Sequence, residues 1–181
     1  ISERKIMDNV ALHSSEVGFE LDDLKAAEDE LSRLFPLRRV ERVLLVAPPD
    51  AESSMFNYST GKRGRYVNVA PYGLGLLATH LREDGIQVNI INLNNIILKA
   101  CRQSESPETF DFNEIWKSAL AEEINRYQPD FIGLTCMFSQ THPSMVCVCN
   151  EIKRLKPDLP LATGGVHITN SFANKDTMSD L

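Results

Sequence analysis

Four short apolar runs, at residues 43–47, 87–93, 131–136 and 161–163, alternate with longer stretches whose apolar residues recur at three- and four-residue steps. Few architectures accommodate this alternation. Strand–helix–strand units join parallel strands through right-handed crossovers and so place helices on both faces of one sheet. The run Val43-Leu44-Leu45-Val46-Ala47 has no polar alternation, as a strand covered on both sides requires, and Pro48-Pro49-Asp50 ends it. The reading is α/β, a Rossmann-like, doubly wound parallel sheet.

The stretches between the strands fix its details. Residues 71–84 read as a helix with Leu74, Leu77, Ala78 and Leu81 on one side and Gly85 as its stop. Residues 112–127 give a second helix, with Ile115, Trp116, Leu120 and Ile124 inward, and residues 143–155 a third. Residues 94–111, with Cys101, read as an irregular insertion, and the polar stretch before Pro71 as a loop whose length marks it as functional or disordered. The expected strand order is 2-1-3-4, flavodoxin-like. A fifth strand is expected beyond Leu181, so the chain reads as a fragment of a longer protein. Residues 1–39 differ: they are acidic, and Leu21, Leu24, Ala27, Leu31 and Leu34 form one apolar stripe that Pro36 stops. Two parts are expected, an N-terminal helical extension (1–39) and the Rossmann-like domain (40–181).

Composition removes several classes. Apolar residues are 43% and charged residues 24%, ordinary for a soluble globular chain. No apolar run approaches the roughly 20 residues of a membrane helix, and no signal-like start is present, so a cytoplasmic location is expected. The net charge of −6 disfavours nucleic acid, whose backbone attracts clustered Lys and Arg. Cys101, Cys136, Cys147 and Cys149 read as thiols. Cys147 and Cys149 sit two apart in a helical stretch, pointing in different directions, and no further ligand stands at zinc or iron–sulfur spacing; no metal site is expected.

In an open parallel sheet, ligands sit at the carboxyl ends of the strands. Two such ends are rich in suitable groups. Strand three runs into Met137, Phe138, Ser139, Gln140 and Thr141; strand four runs into Gly164, Gly165, Val166 and His167. That mix of apolar wall and a few polar groups suits a large cofactor, and paired glycines let a bulky ligand pass close to backbone. The segment Gly73-Leu74-Gly75-Leu76-Leu77-Ala78 matches the dinucleotide pattern G-x-G-x-x-A. However, twenty-five residues separate it from Ala47, and strand two ends in Asn92-Leu93-Asn94-Asn95 with no acid for a ribose. Close helix-to-sheet packing is the better account of its glycines. A phospho-acceptor receiver would need an aspartate where Cys136-Met137 stands. A flavodoxin would need a short hydroxyl-rich loop directly after strand one, whereas Ser53, Ser54, Ser59 and Thr60 lie in a loop of the wrong length. His13 and His80 lack supporting context; His142 and His167 stand at the two strand ends that matter.

Taken in order, Val43-Leu44-Leu45-Val46-Ala47-Pro48-Pro49, Pro71-Tyr72-Gly73-Leu74-Gly75-Leu76-Leu77-Ala78, Gly133 through Thr141, and Gly164-Gly165-Val166-His167 resemble the cobalamin-binding domain of B12-dependent radical SAM enzymes. The resemblance covers residues 40–170. It implies a corrin over the carboxyl edge of the sheet, bordered by Pro71, Tyr72, Gly73 and Gly75. The nucleotide tail would descend past Ser139 and Gly164-Gly165, with Met137, Phe138, Gln140, Thr141, Val166 and His167 as further contacts. It implies a methyltransferase-type activity for the longer protein, with a 4Fe-4S cluster and S-adenosylmethionine held by a radical SAM barrel. Two departures stand out. Residues 48–79 contain no histidine, so the lower cobalt ligand that related modules place after strand one is missing. No C-x-x-x-C-x-x-C is present either, so no catalytic residue is expected in this chain. The competing expectation is a non-catalytic α/β docking or regulatory module that has lost the cofactor.

Overall fold

The computed structural model describes residues 21–34 and 40–173. Two units divide the chain, residues 1–39 and 40–181. In the first, helix α1 (Leu21–Leu34) forms where the apolar stripe predicts it. Leu24 is half-buried while Ala27 and Leu31 are exposed; the side chains of Leu21 and Leu34, and the stop at Pro36, lie outside the described residues.

The second unit runs β1 (Arg42–Ala47), α2 (Tyr58–Lys62), α3 (Tyr72–Glu83), β2 (Gln87–Asn92), α4 (Leu93–Gln103), α5 (Phe112–Tyr127), β3 (Phe131–Thr135), α6 (His142–Leu155), β4 (Leu161–Gly164) and α7 (Val166–Ala173). Its four strands form one sheet in the order β2-β1-β3-β4, every pair parallel. The flavodoxin-like order expected from the strand–helix rhythm is the observed one. The Asp130 carboxylate helps set the register by accepting from the backbone N–H groups of Glu41 and Arg42 at 2.8 and 3.1 Å, which ties the start of β1 to β3.

Alternate side chains of each strand leave the sheet on opposite sides, and the two sides differ. On the first, Leu44, Val46, Ile91, Ile132 and Leu134 pack beneath α4, α5 and α6 through Leu93, Ile97, Trp116, Leu120, Ile124, Val148 and Ile152, all buried. On the second, Val43, Leu45, Ala47 and Val88 are closed by Leu74 and Ala78 of α3, which rests on β2 and β1. The second side therefore has a closed half, over β1 and β2, and a different half over β3 and β4.

Three expectations need correction. Residues 94–111 are not an irregular insertion. They hold helix α4, in which the Asn92 side chain caps the first turn by accepting from Asn95 N–H at 2.9 Å, and Leu93, Ile97, Leu98 and Cys101 bury one face. Of the asparagines at its start, Asn92 is the cap, while Asn94 and Asn95 are half-buried and hydrogen-bonded to Asp50 and Asn68. Secondly, Leu77 does not join Leu74, Ala78 and Leu81; it is exposed. Thirdly, Gly73 and Gly75 are not sites of close helix-to-sheet packing, since a Cβ on either would meet nothing within 4 Å.

The loop after β1 is built around an aromatic anchor. Phe56 stacks on Tyr66 and Phe110 and tilts against Phe112, with ring centroids 5.1, 5.4 and 5.1 Å apart. Gly61 of α2 lies so close to Phe56 and Cys101 that a Cβ would come within 2.7 and 2.9 Å of them. No helix among the described residues is long and apolar enough to cross a membrane.

Candidate functional site

The open half of the sheet's second side is made by small residues. Register pairs Leu45 with Gly133 and Gly133 with Ala162, and Thr135 with Gly164. Gly133, Thr135, Ala162 and Gly164 therefore share the side on which Leu45 packs. Ala162 is exposed, and the other three are only half-buried. A Cβ on Gly164 would meet nothing within 4 Å, while one on Gly133 would touch the Leu45 side chain at 3.0 Å. The floor is thus low and uncluttered, and it leads to the carboxyl ends of β3 and β4.

Those two ends are joined to each other. The backbone N–H of Cys136 donates to Gly164 C=O at 2.7 Å, and that of His167 donates to Cys136 C=O at 3.2 Å. Gly165, at φ +111°, fits between them: a Cβ there would fall 2.5 Å from Cys136 O. The paired glycines therefore do different things. Gly165 is required by the turn that fastens β4 to β3, and Gly164 by no neighbour among the described residues.

Above this turn stands a chain of side-chain contacts. Ser139 Oγ lies 3.1 Å from His167 Nδ1, and His167 Nε2 lies 3.1 Å from His142 Nδ1, the two rings meeting edge to face at 5.1 Å between centroids. Met137, Phe138 and Val166 are exposed around it, 47, 61 and 52%. Gln140 reaches a separate cavity of about 250 Å³, shared with Asp50, Phe56, Tyr66 and Asn94. Thr141 does not face the rim: it is buried, and its hydroxyl donates to Phe138 C=O at 2.7 Å, which shapes the loop.

The structure thus brings Ser139, Gly164, Gly165 and His167 together, with Met137, Phe138 and Val166 beside them. Pro71, Tyr72, Gly73 and Gly75 form the start of α3, where Pro71 C=O accepts from Gly75 N–H at 3.1 Å and Tyr72 is 77% exposed. No hydrogen bond among the described residues joins this turn to the β3 and β4 ends.

Reasoning from the chain missed the pair at the ends of β1 and β2. Asn94 Nδ2 donates to Asp50 Oδ2 at 2.6 Å, and Asp50 N–H to Asn94 Oδ1 at 3.3 Å. Burial pushes the Asp50 carboxyl above its ordinary range. A carboxylate standing directly after a buried strand was the available signal. All four cysteines are free, and burial raises the Cys101 and Cys149 thiols, which keeps them protonated and unreactive at neutral pH. No group of three metal-ligating side chains occurs among the described residues. A second cavity, about 400 Å³, opens between α5 and α6 on the opposite side of the sheet. It is lined by Phe112, Trp116, Lys117, Asn150 and the buried Ser144, whose hydroxyl has no partner.

Comparison with curated proteins returned no match. A family model described as the B12 binding domain matches residues 64–179, the span that holds α3, β2, α4, α5, β3, α6, β4 and α7. An open parallel sheet of the right order, a bare strip beside β3 and β4 and a mixed polar and apolar rim are what that match would require, and on it the chain belongs to the B12-binding domain family.

Proposed function

We propose that this chain is the cobalamin-binding module of a B12-dependent radical SAM enzyme of the methyltransferase type. In this reading it holds the corrin across the ends of β3 and β4 and the nucleotide tail along the open side of those strands. The observation that carries this is the strip of Gly133, Thr135, Ala162 and Gly164, where added atoms at Gly164 would meet only open space. A flat macrocycle edged with amides needs an apolar platform and a few convergent polar groups. Met137, Phe138 and Val166 offer the first, and Ser139 with the loop's backbone the second. Tyr72 and Gly73, exposed at the start of α3, and the half-buried Gly75 border the same ligand, with Pro71 at the N-cap position of their helix. Gly165 and Thr141 hold the two loops in shape, and Gln140 would meet the corrin's edge from the cavity it shares with Asp50 and Asn94.

When bound, cobalamin supplies a cobalt centre that carries the methyl group; the protein positions it and excludes water. With no histidine in residues 48–79, the β1 loop supplies no lower ligand. The cluster-binding cysteines of radical chemistry, absent from this sequence, belong in this reading to a barrel elsewhere in a longer chain. Its methyl acceptor would meet the corrin's outer face.

The test is retention. Purified protein incubated with hydroxocobalamin and desalted is expected to elute with stoichiometric corrin and altered visible bands. Corrin that emerges entirely with the small molecules would leave the domain as a docking or regulatory module.

A further inference from the structure

Both ring nitrogens of His167, the imidazole expected at the cofactor, are already engaged: Nδ1 with Ser139 Oγ and Nε2 with His142 Nδ1. The nitrogen left over is His142 Nε2, which has no hydrogen-bond partner among the described residues. His142 is half-buried at the first position of α6, directly after the β3 loop. From this geometry, and resting on the cobalamin reading above, we infer that His142 is the imidazole that meets the cofactor, through Nε2, and that Ser139 and His167 position it.

The chemistry follows from proton counting. A contact between two imidazole nitrogens needs one proton, not two, so the three residues can be arranged in two ways. In one, His142 Nδ1–H donates to His167 Nε2 and His167 Nδ1–H donates to Ser139 Oγ, which leaves a lone pair on His142 Nε2. This is the arrangement by which a second group fixes the tautomer and orientation of a metal-binding histidine. In the other, Ser139 O–H donates to His167 Nδ1 and His167 Nε2–H donates to His142 Nδ1, so that His142 Nε2 carries the proton and can donate to an amide carbonyl or a phosphate. Moving the protons along the relay exchanges an acceptor for a donor at the exposed end while every internal contact is kept. A ring held in this way loses little freedom when it meets a ligand.

The experiment compares His142→Phe, His142→Gln and His167→Phe with the wild-type chain, each first checked for folding by circular dichroism. Hydroxocobalamin affinity is expected to fall at least tenfold in His142→Phe. It should largely recover in His142→Gln, whose amide reaches the place of Nε2, and fall less in His167→Phe, which only frees the ring. Nitrogen-15 spectra of the cofactor-free protein should show the two rings coupled by one shared proton. With cob(II)alamin, an electron paramagnetic resonance splitting from one nitrogen that disappears in His142→Phe puts the contact on cobalt. A spectrum that is the same in the wild type and in His142→Phe, with the same loss of affinity, puts it on the cofactor's amide or phosphate groups; either supports the inference. Wild-type affinity in His142→Phe, or rings that share no proton, would overturn it while leaving the cobalamin reading in place. A wild-type chain that retains no corrin would overturn both.

Discussion

Replacing Gly165 by alanine is expected to destabilise the domain by about 3 kcal/mol or more, the sum of a backbone angle that side chains avoid and an overpacked contact. Its φ of +111° is strained for any residue with a Cβ, and the Cβ would lie 2.5 Å from Cys136 O and 3.0 Å from Cys136 C. These are backbone atoms at the end of a buried strand and have no rotamer to change. Relief would have to come from parting β4 from β3, which breaks the Cys136 N–H to Gly164 C=O and His167 N–H to Cys136 C=O bonds. Thermal unfolding followed by circular dichroism should show a midpoint lower by about 10 °C. An unchanged midpoint would mean that the β4 turn is not built as described.

Gly164→Phe should behave in the opposite way. Gly164 has no positive φ and nothing among the described residues lies within 4 Å of its Cβ position, so a substitution at this half-buried edge-strand position should alter stability by no more than about 1 kcal/mol. The ring would nonetheless stand on the open strip where the nucleotide tail is proposed to lie. Cobalamin affinity should fall at least 100-fold, about 2.7 kcal/mol. Adjacent glycines would then separate cleanly, one sustaining the fold and the other admitting the ligand. A Gly164→Phe protein that keeps wild-type affinity would place the tail elsewhere.

Strand positions and order were legible because apolar runs of three to seven residues, alternating with helical stretches, fit a parallel sheet covered on both sides. Helix α5 was legible too, since Trp116, Leu120 and Ile124 recur on one face and Asp111 caps it by accepting from Glu114 N–H at 2.9 Å. Helix α4 was not. Its polar start, Asn92 through Asn95, resembles a loop in composition, and only the cap geometry reveals that one of those asparagines begins a helix. The anchor of the β1 loop was hidden for another reason: Phe56, Tyr66, Phe110 and Phe112 come from segments far apart in the chain and meet only through the fold. At the site, the paired glycines were visible as a pair, but the split in their roles depends on a backbone angle and a neighbouring carbonyl that no residue name records. The same holds for Thr141, whose hydroxyl turns inward, and for His167, whose nitrogens are both held by neighbours.

Hydrogen exchange of the whole chain with and without hydroxocobalamin locates the bound corrinoid, because it reads where a ligand rests rather than whether one binds. Slowed exchange is predicted for amides in residues 71–76, 135–142 and 162–167, with little change in α1 or at the amino ends of the strands. Unchanged exchange in those three segments, or protection confined to the residues that line the cavity between α5 and α6, would contradict the placement of the corrinoid along β3 and β4.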